Sequence, residues 1–180
     1  MYKLTIPKGE WFDERKQEFI ENKNDIHLAL EHSLVSISKW ESKWKKSFLS
    51  TEKKTKEERI DYIRCMTLTQ NVDPQVYYLI SPIEMSKIDA YINDPMTATT
   101  FSDDGRKGGR EIITSEIIYY WMTTYNIPFE CQKWHLGRLM TLIRVCAIKN
   151  APEKKMSAKD IMTRNRALNQ ARRAKLHTKG

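Results

Sequence analysis

The stretch DIHLALEHSLVSISKWESKW, residues 25–44, decides the fold. Its first half alternates: Ile26, Leu28 and Leu30 recur every second residue, the period of a half-buried strand. Its second half does not. Leu34, Ile37, Trp40 and Trp44 fall at spacings of three, three and four, which places them on one face of a helix. Ser33 stands at the change of period, with a hydroxyl suited to cap the first turn. A strand is therefore predicted to hand over directly to a helix.

Toward the N-terminus, YKLTI (2–6) repeats the alternation with Tyr2, Leu4 and Ile6, and Pro7 and Gly9 punctuate the chain just after it. A small sheet or hairpin is expected there. Toward the C-terminus, SFLSTEKK (47–54) reads as a polar connection. In TKEERIDYIRCM (55–66), Thr55 and Glu58 make a capping-box pattern, and Ile60, Tyr62 and Ile63 supply the buried side, with Met66 or Leu68 near the end. Asp73 precedes Pro74 as a second start signal. Ser81, Pro82 and Glu84 form a third, for a helix over SPIEMSKIDAYI.

Residues 93–114 interrupt this pattern. Gly105, Gly108 and Gly109 among Asp103, Asp104, Arg106 and Lys107 read as an exposed loop or hairpin tip between TATTF and REIIT. The glycines raise the question of a phosphate cradle. A P-loop needs GxxxxGK[ST] between strand and helix, and DDGRKGGR lacks it. Two dense apolar helices are expected next. In SEIIYYWMTTY, Ile117, Tyr120, Trp121 and Tyr125 are assigned to packing. From Pro128 a long helix is expected to carry Phe129, Trp134, Leu139, Leu142 and Cys146 as its core stripe, widened by Leu136, Ile143 and Val145. KNAPEKKM is a linker, and Ser157 is placed to cap a last helix through about Lys175. The expected fold is mainly α (α+β): a helical body over 1–150 with a small N-terminal β element, then a basic helical tail over 151–180.

Composition limits the function. The chain has 180 residues, five tryptophans and 40% hydrophobic residues, enough for a real core. The apolar run from Leu136 to Ile148 is broken by Gly137, Arg138 and Arg144, too short and too polar to span a bilayer. No apolar leader stands at the N-terminus. Cys65, Cys131 and Cys146, odd in number and without CxxC, read as reduced thiols of a cytoplasm. Net charge is +8. Ten of the 31 basic residues but two of the 23 acidic ones lie in 149–180, which leaves 21 of each in the remainder. The whole excess therefore sits in the tail, where it acts on partners rather than on the fold.

No catalytic constellation emerges. Cys131 and His135 are spaced i, i+4, but zinc wants three or four protein ligands and a Cys–His dyad needs an orienting group; neither is marked. A buried cysteine beside a half-buried histidine is the expectation. Neither a metal nor a cofactor is called for. The aromatics of WESKW and IIYYWMTTY exceed what a small core needs, and tryptophan and tyrosine favour interfaces. Trp40, Trp44, Tyr119 and Trp121 are therefore candidate partner-binding residues. Arg164, Arg166, Arg172 and Arg173 join them on the tail, beside a thin stripe of Ala158, Ile161, Met162, Ala167 or Leu168, Ala171 and Leu176. Cations alone would bind phosphates with steep salt dependence. Yet the tail has no aromatic to stack a base, so a protein ranks ahead of nucleic acid as its partner.

Three segments together carry a resemblance: LEHSLVSISKWESKW, TSEIIYYWMTTYNIPFECQKWHLGRLMTLIRVC and MTRNRALNQARRAKLHTKG. They resemble the tail assembly chaperones of tailed bacteriophages. The resemblance spans most of the chain and is weakest at the N-terminus and the glycine loop. It implies a non-enzymatic protein of the host cytoplasm. Such a protein covers the tape-measure protein during tail morphogenesis and is displaced by tail-tube subunits. It also leaves room for self-association and for two alternatives: a virion component such as a connector or minor tail protein, or a nucleic-acid-binding protein that uses the basic helix. No site residue of that family carries over to a position in this sequence.

Overall fold

A computed structural model describes residues 1–13, 17–101, 112–151 and 158–176. The chain divides into two compact units, Met1–Ala147 and Ile148–Gly180. The fold is mainly α with a small antiparallel β element at the N-terminus.

The alternating segments pair as expected. β1 (Tyr2–Ile6) runs antiparallel to β4 (Ile26–Leu30), with Leu4 opposite Leu28 and Ile6 opposite Ile26. Leu4, Ile6, Leu28 and Leu30 are buried in the core. Between them sits a hairpin that the alternation does not announce: β2 (Gly9–Asp13) pairs with β3 (Glu18–Asn22). Adjacent aromatics in GEWFD conceal its period. Phe12 and Phe19 face each other across it, ring centroids 5.1 Å apart, and both are exposed.

α1 (Leu34–Trp44) starts at Ser33, whose hydroxyl accepts from the Ser36 amide while Ser36 Oγ accepts from Ser33 N–H. This is a capping box with serine in the third position. Leu34, Ile37 and Trp40 are fully buried. α2 (Lys56–Met66) starts with the predicted Thr55–Glu58 box. Met66 closes its buried side, whereas Leu68 is exposed. Pro74–Leu79 forms a 3-10 turn capped by Asp73, and α3 (Pro82–Asn93) is capped by Ser81. The polar connection after α1 also contributes to the core: Phe48 stacks on Tyr62, centroids 3.8 Å apart. Thr97–Phe101 contains no strand, and the glycine stretch lies outside the described residues.

α4 (Ser115–Thr124) keeps part of the face the spacing implies, with Trp121 and Tyr125 half-buried against the core, but its centre is rotated. Ser115, Ile118 and Met122 are buried, while Tyr120 is 67% exposed. Its capping is non-local. Glu41 of α1 is buried and accepts from Ser115 N–H at 2.8 Å with one oxygen and from Phe48 N–H at 2.8 Å with the other. A carboxylate at a helix N-terminus satisfies orphan donors and complements the dipole.

The long helix expected from Pro128 is broken. Phe129–Lys133 is a 3-10 turn, and α5 spans Leu136–Lys149. The break is tertiary in origin. Leu136 N–H donates to His32 O at 2.7 Å, and Ser33 and His135 form an isolated bridge. This tie pulls residues 134–135 out of helical geometry. Phe129, assigned to the core stripe, is consequently 55% exposed, and the buried positions are Leu136, Leu139 and Ile143. A Cβ on Gly137 would lie 2.9 Å from Asp94 O, so glycine is what lets α5 begin against the 94–95 backbone. In the second unit, α6 spans Ala158–Leu176.

Candidate partner-binding surfaces

α6 forms because Arg, Lys, Ala, Leu and Gln are strong helix formers and 19 residues exceed the length at which an isolated helix is marginal. Asp160 in its first turn and Arg173 and Lys175 in its last complement the dipole. Arg164, Arg166, Arg172 and Arg173 are all exposed. So are Ile161, Met162, Leu168 and Leu176. At 3.6 residues per turn these four fall within an arc of about 120°, and Arg172 lies inside it. Ser157, its expected cap, lies outside the described residues.

The aromatic candidates separate. Trp40 is 1% exposed, its indole N–H donating to Glu58 O at 2.9 Å; it is a core residue and offers no surface to a partner. The surplus of aromatics makes it a candidate, but its helical spacing with Leu34 and Ile37 puts it on the buried face of α1. Trp44 is half-buried, stacked on Trp40 at 6.1 Å, with its N–H donated to Asp61. Tyr119 is half-buried and donates to Gln132 Oε1 at 2.8 Å, beside the exposed ring of Phe129. Trp121 lines a cavity of about 470 Å³ with Phe101, Tyr125, Met140 and Arg144. The guanidinium of Arg144 lies 4.0 Å from the Phe101 ring centre. Trp40 and Trp44 thus share one neighbourhood, and Tyr119 and Trp121 face others, so the four do not form one patch.

Two further concavities of the body involve none of them. A cavity of about 740 Å³ and another of about 680 Å³ share Lys54, Arg59 and Met85. Both lie along α2 and α3, and Arg59 bridges these helices by an ion pair with Asp89 at 2.5 Å. His32 and Tyr62 line the larger one. His32 is 3% exposed, with Nδ1 in a short hydrogen bond to the Tyr62 hydroxyl. Burial, reinforced by His135, pushes its pKa down to about 3, so it is neutral. Burial also holds the Tyr62 hydroxyl well above the usual tyrosine range. Lys54 Nζ lies 4.5 Å from the Phe48 ring centre and 5.9 Å from that of Trp40. It makes no ion pair among the described residues, and burial lowers its pKa. The sequence signal for this region is the charge run EKKTKEER, which by itself marks only a connection and a helix start.

Cys131 and His135 do not share a helix face. Cys131 sits in the 3-10 turn, whereas His135 precedes α5. His135 Nδ1 accepts from Gly137 N–H at 3.2 Å, which leaves Nε2–H to donate to Tyr91 O at 3.0 Å. Both ring nitrogens are thereby engaged in structure, and burial lowers the ring's pKa. Burial pushes the Cys65 thiol up to about 11, away from thiolate chemistry. Among the described residues, no group of three or more His, Cys, Asp or Glu is placed to hold a metal ion. No helix among them is long and apolar enough to cross a membrane. No family model, no curated protein and no solved structure matches the chain.

Proposed function

We propose that this chain is a non-enzymatic assembly chaperone of bacteriophage tail morphogenesis. In this reading it covers helical segments of the tape-measure protein until tail-tube subunits replace it. The observation that carries it is α6, a basic helix whose apolar side chains Ile161, Met162, Leu168 and Leu176 are exposed. An apolar arc with arginines inside and beside it suits an amphipathic partner helix that carries carboxylates. The resemblance of the segments at 30–44, 114–146 and 162–180 to tail assembly chaperones supports the same reading. Exposed Phe129 and Tyr120 add apolar area of the kind such a protein needs.

The test is co-expression with the phage tape-measure protein, followed by affinity capture after nuclease treatment. Capture of the tape measure by the full chain, lost on removal of residues 150–180, supports the proposal. A second reading, nucleic-acid binding, draws on the six cations of α6 (Lys159, Arg164, Arg166, Arg172, Arg173 and Lys175) against the single acid Asp160. It predicts that captured material vanishes with nuclease and that binding falls steeply with salt.

A further inference from the structure

The two cavities that share Lys54, Arg59 and Met85 are halves of one trough. The smaller reaches Ser81 and Pro82 at the start of α3, and the larger reaches Asn93 at its end. The trough thus runs the length of α3, whose 12 residues span roughly 18 Å at 1.5 Å per residue. A compact ligand would fill one half. A helical segment of about the same length would fill both.

Its chemistry is asymmetric. The floor is apolar: half-buried Met85 and Ile92 of α3 give it surface, and the buried Ile63 and Ile88 back it from the core. One lip is basic: Lys53, Lys54, Lys56 and Arg59 line it. The carboxylates among the lining residues are Asp89 and Asp94, and Asp89 is already paired with Arg59. Lys54 is the informative residue. Its ammonium is partly withdrawn from water against two aromatic rings and forms no ion pair with a carboxylate among the described residues. Burial disfavours its charge, and the nearby Glu58 and Glu52 carboxylates offset only part of that cost, so a further carboxylate is favourable. The trough therefore offers an entering segment an apolar bed and a cation that gains from a carboxylate.

We propose that this trough is a second client site, which takes one amphipathic helical segment of the tape-measure protein with its apolar face on Met85 and Ile92 and an acidic side chain on Lys54. The inference rests on the chaperone reading above, but not on α6. The trough would grip one segment of the client while α6 covers another, and two linked contacts on one chain raise avidity beyond either alone.

The experiment uses the full chain and overlapping synthetic peptides, each about 20 residues, that tile the tape-measure protein. Binding is read by fluorescence anisotropy. The expected result is that an acidic amphipathic peptide binds and that Lys54→Glu weakens it at least tenfold. A peptide with its acidic residue changed to lysine should then regain affinity for Lys54→Glu alone. Lys54 is half-buried and its change leaves the apolar floor intact, so an unaltered near-ultraviolet circular dichroism spectrum certifies the fold. Peptides that bind Lys54→Glu as tightly as the parent chain, while Arg172→Ala/Arg173→Ala loses them, overturn the trough and keep the chaperone. Full-length tape measure that fails to bind the parent chain overturns both. Self-association that Lys54→Glu abolishes, with no peptide bound, makes the trough an interface between copies and overturns the proposal.

Discussion

Trp40 and Leu168 are both large apolar residues on helices, and the chain uses them in opposite ways. Trp40 is sealed between α1, α2 and Phe48, with its one polar atom satisfied. Leu168 is exposed on α6 among arginines. The first unit builds a core from apolar surface and leaves Phe19, Ile83, Tyr120 and Phe129 exposed around it. The second displays its apolar side chains. The charge follows the same division, with balanced acids and bases in the body and a surplus of cations in the tail. A region that buries its apolar side chains loses stability when one is truncated. A region that displays them can lose one with little effect on folding and a large effect on binding. Three measurements test that contrast.

The largest effect is expected at Trp40. Trp40→Ala removes a fully buried indole and the hydrogen bond it donates to Glu58 O, a loss of about 3–5 kcal/mol in a core of this kind. Urea unfolding should show a much lower midpoint or no cooperative transition. A loss below about 1 kcal/mol would mean that the indole is free to serve a partner after all.

The next effect is a pH dependence confined to the body. The folded state holds His32 neutral, with its pKa pushed down to about 3 from an ordinary value near 6.5. The unfolded chain therefore binds a proton that the folded chain refuses, from about pH 6.5 downward. Stability from this group is full above about pH 7, falls as pH drops below about 6.5, and stops falling below about pH 3. The slope is about 1.4 kcal/mol per unit, which gives roughly 2 kcal/mol lost at about pH 5. His135, whose pKa burial also lowers, adds in the same direction. Thermal unfolding across the range from about pH 5 to about pH 8 measures it. In His32→Gln most of the slope should disappear; an unchanged slope would assign it elsewhere.

The same division explains what is legible in the sequence. Local signals are legible: the change of period at Ser33, the Thr55–Glu58 box and the Ser81–Pro82 start depend on residues within one turn. Sequence and structure part where a distant backbone intervenes. The helix from Pro128 looks continuous, but His32 O draws Leu136 into a tertiary hydrogen bond and breaks it. The run IIYYWM is apolar all round, so periodicity cannot choose its buried face, and Tyr120 lies outside although its spacing assigns it to packing. Glu41 gives no hint that it caps a helix 74 residues away. At the candidate surfaces, the arginines of α6 are readable as a charge run. The trough is not, because its lips come from residues 53–59 and its floor from α3, which only the fold brings together.

The smallest effect completes the contrast. Leu168→Ala, or Arg172→Ala with Arg173→Ala, alters exposed side chains in α6, and substitutions of this type change stability by less than about 0.5 kcal/mol. All five tryptophans, the last being Trp134, lie in the first unit, so intrinsic fluorescence during urea unfolding reports on the body alone. The midpoint and slope of that transition should match those of the parent chain, while affinity for the tape-measure protein falls. A destabilisation above about 1 kcal/mol read at those tryptophans would show that the tail stabilises the body, and its exposed leucine would then be folding surface rather than binding surface. An unchanged transition together with a lost client would locate binding in the region whose apolar side chains the fold leaves uncovered.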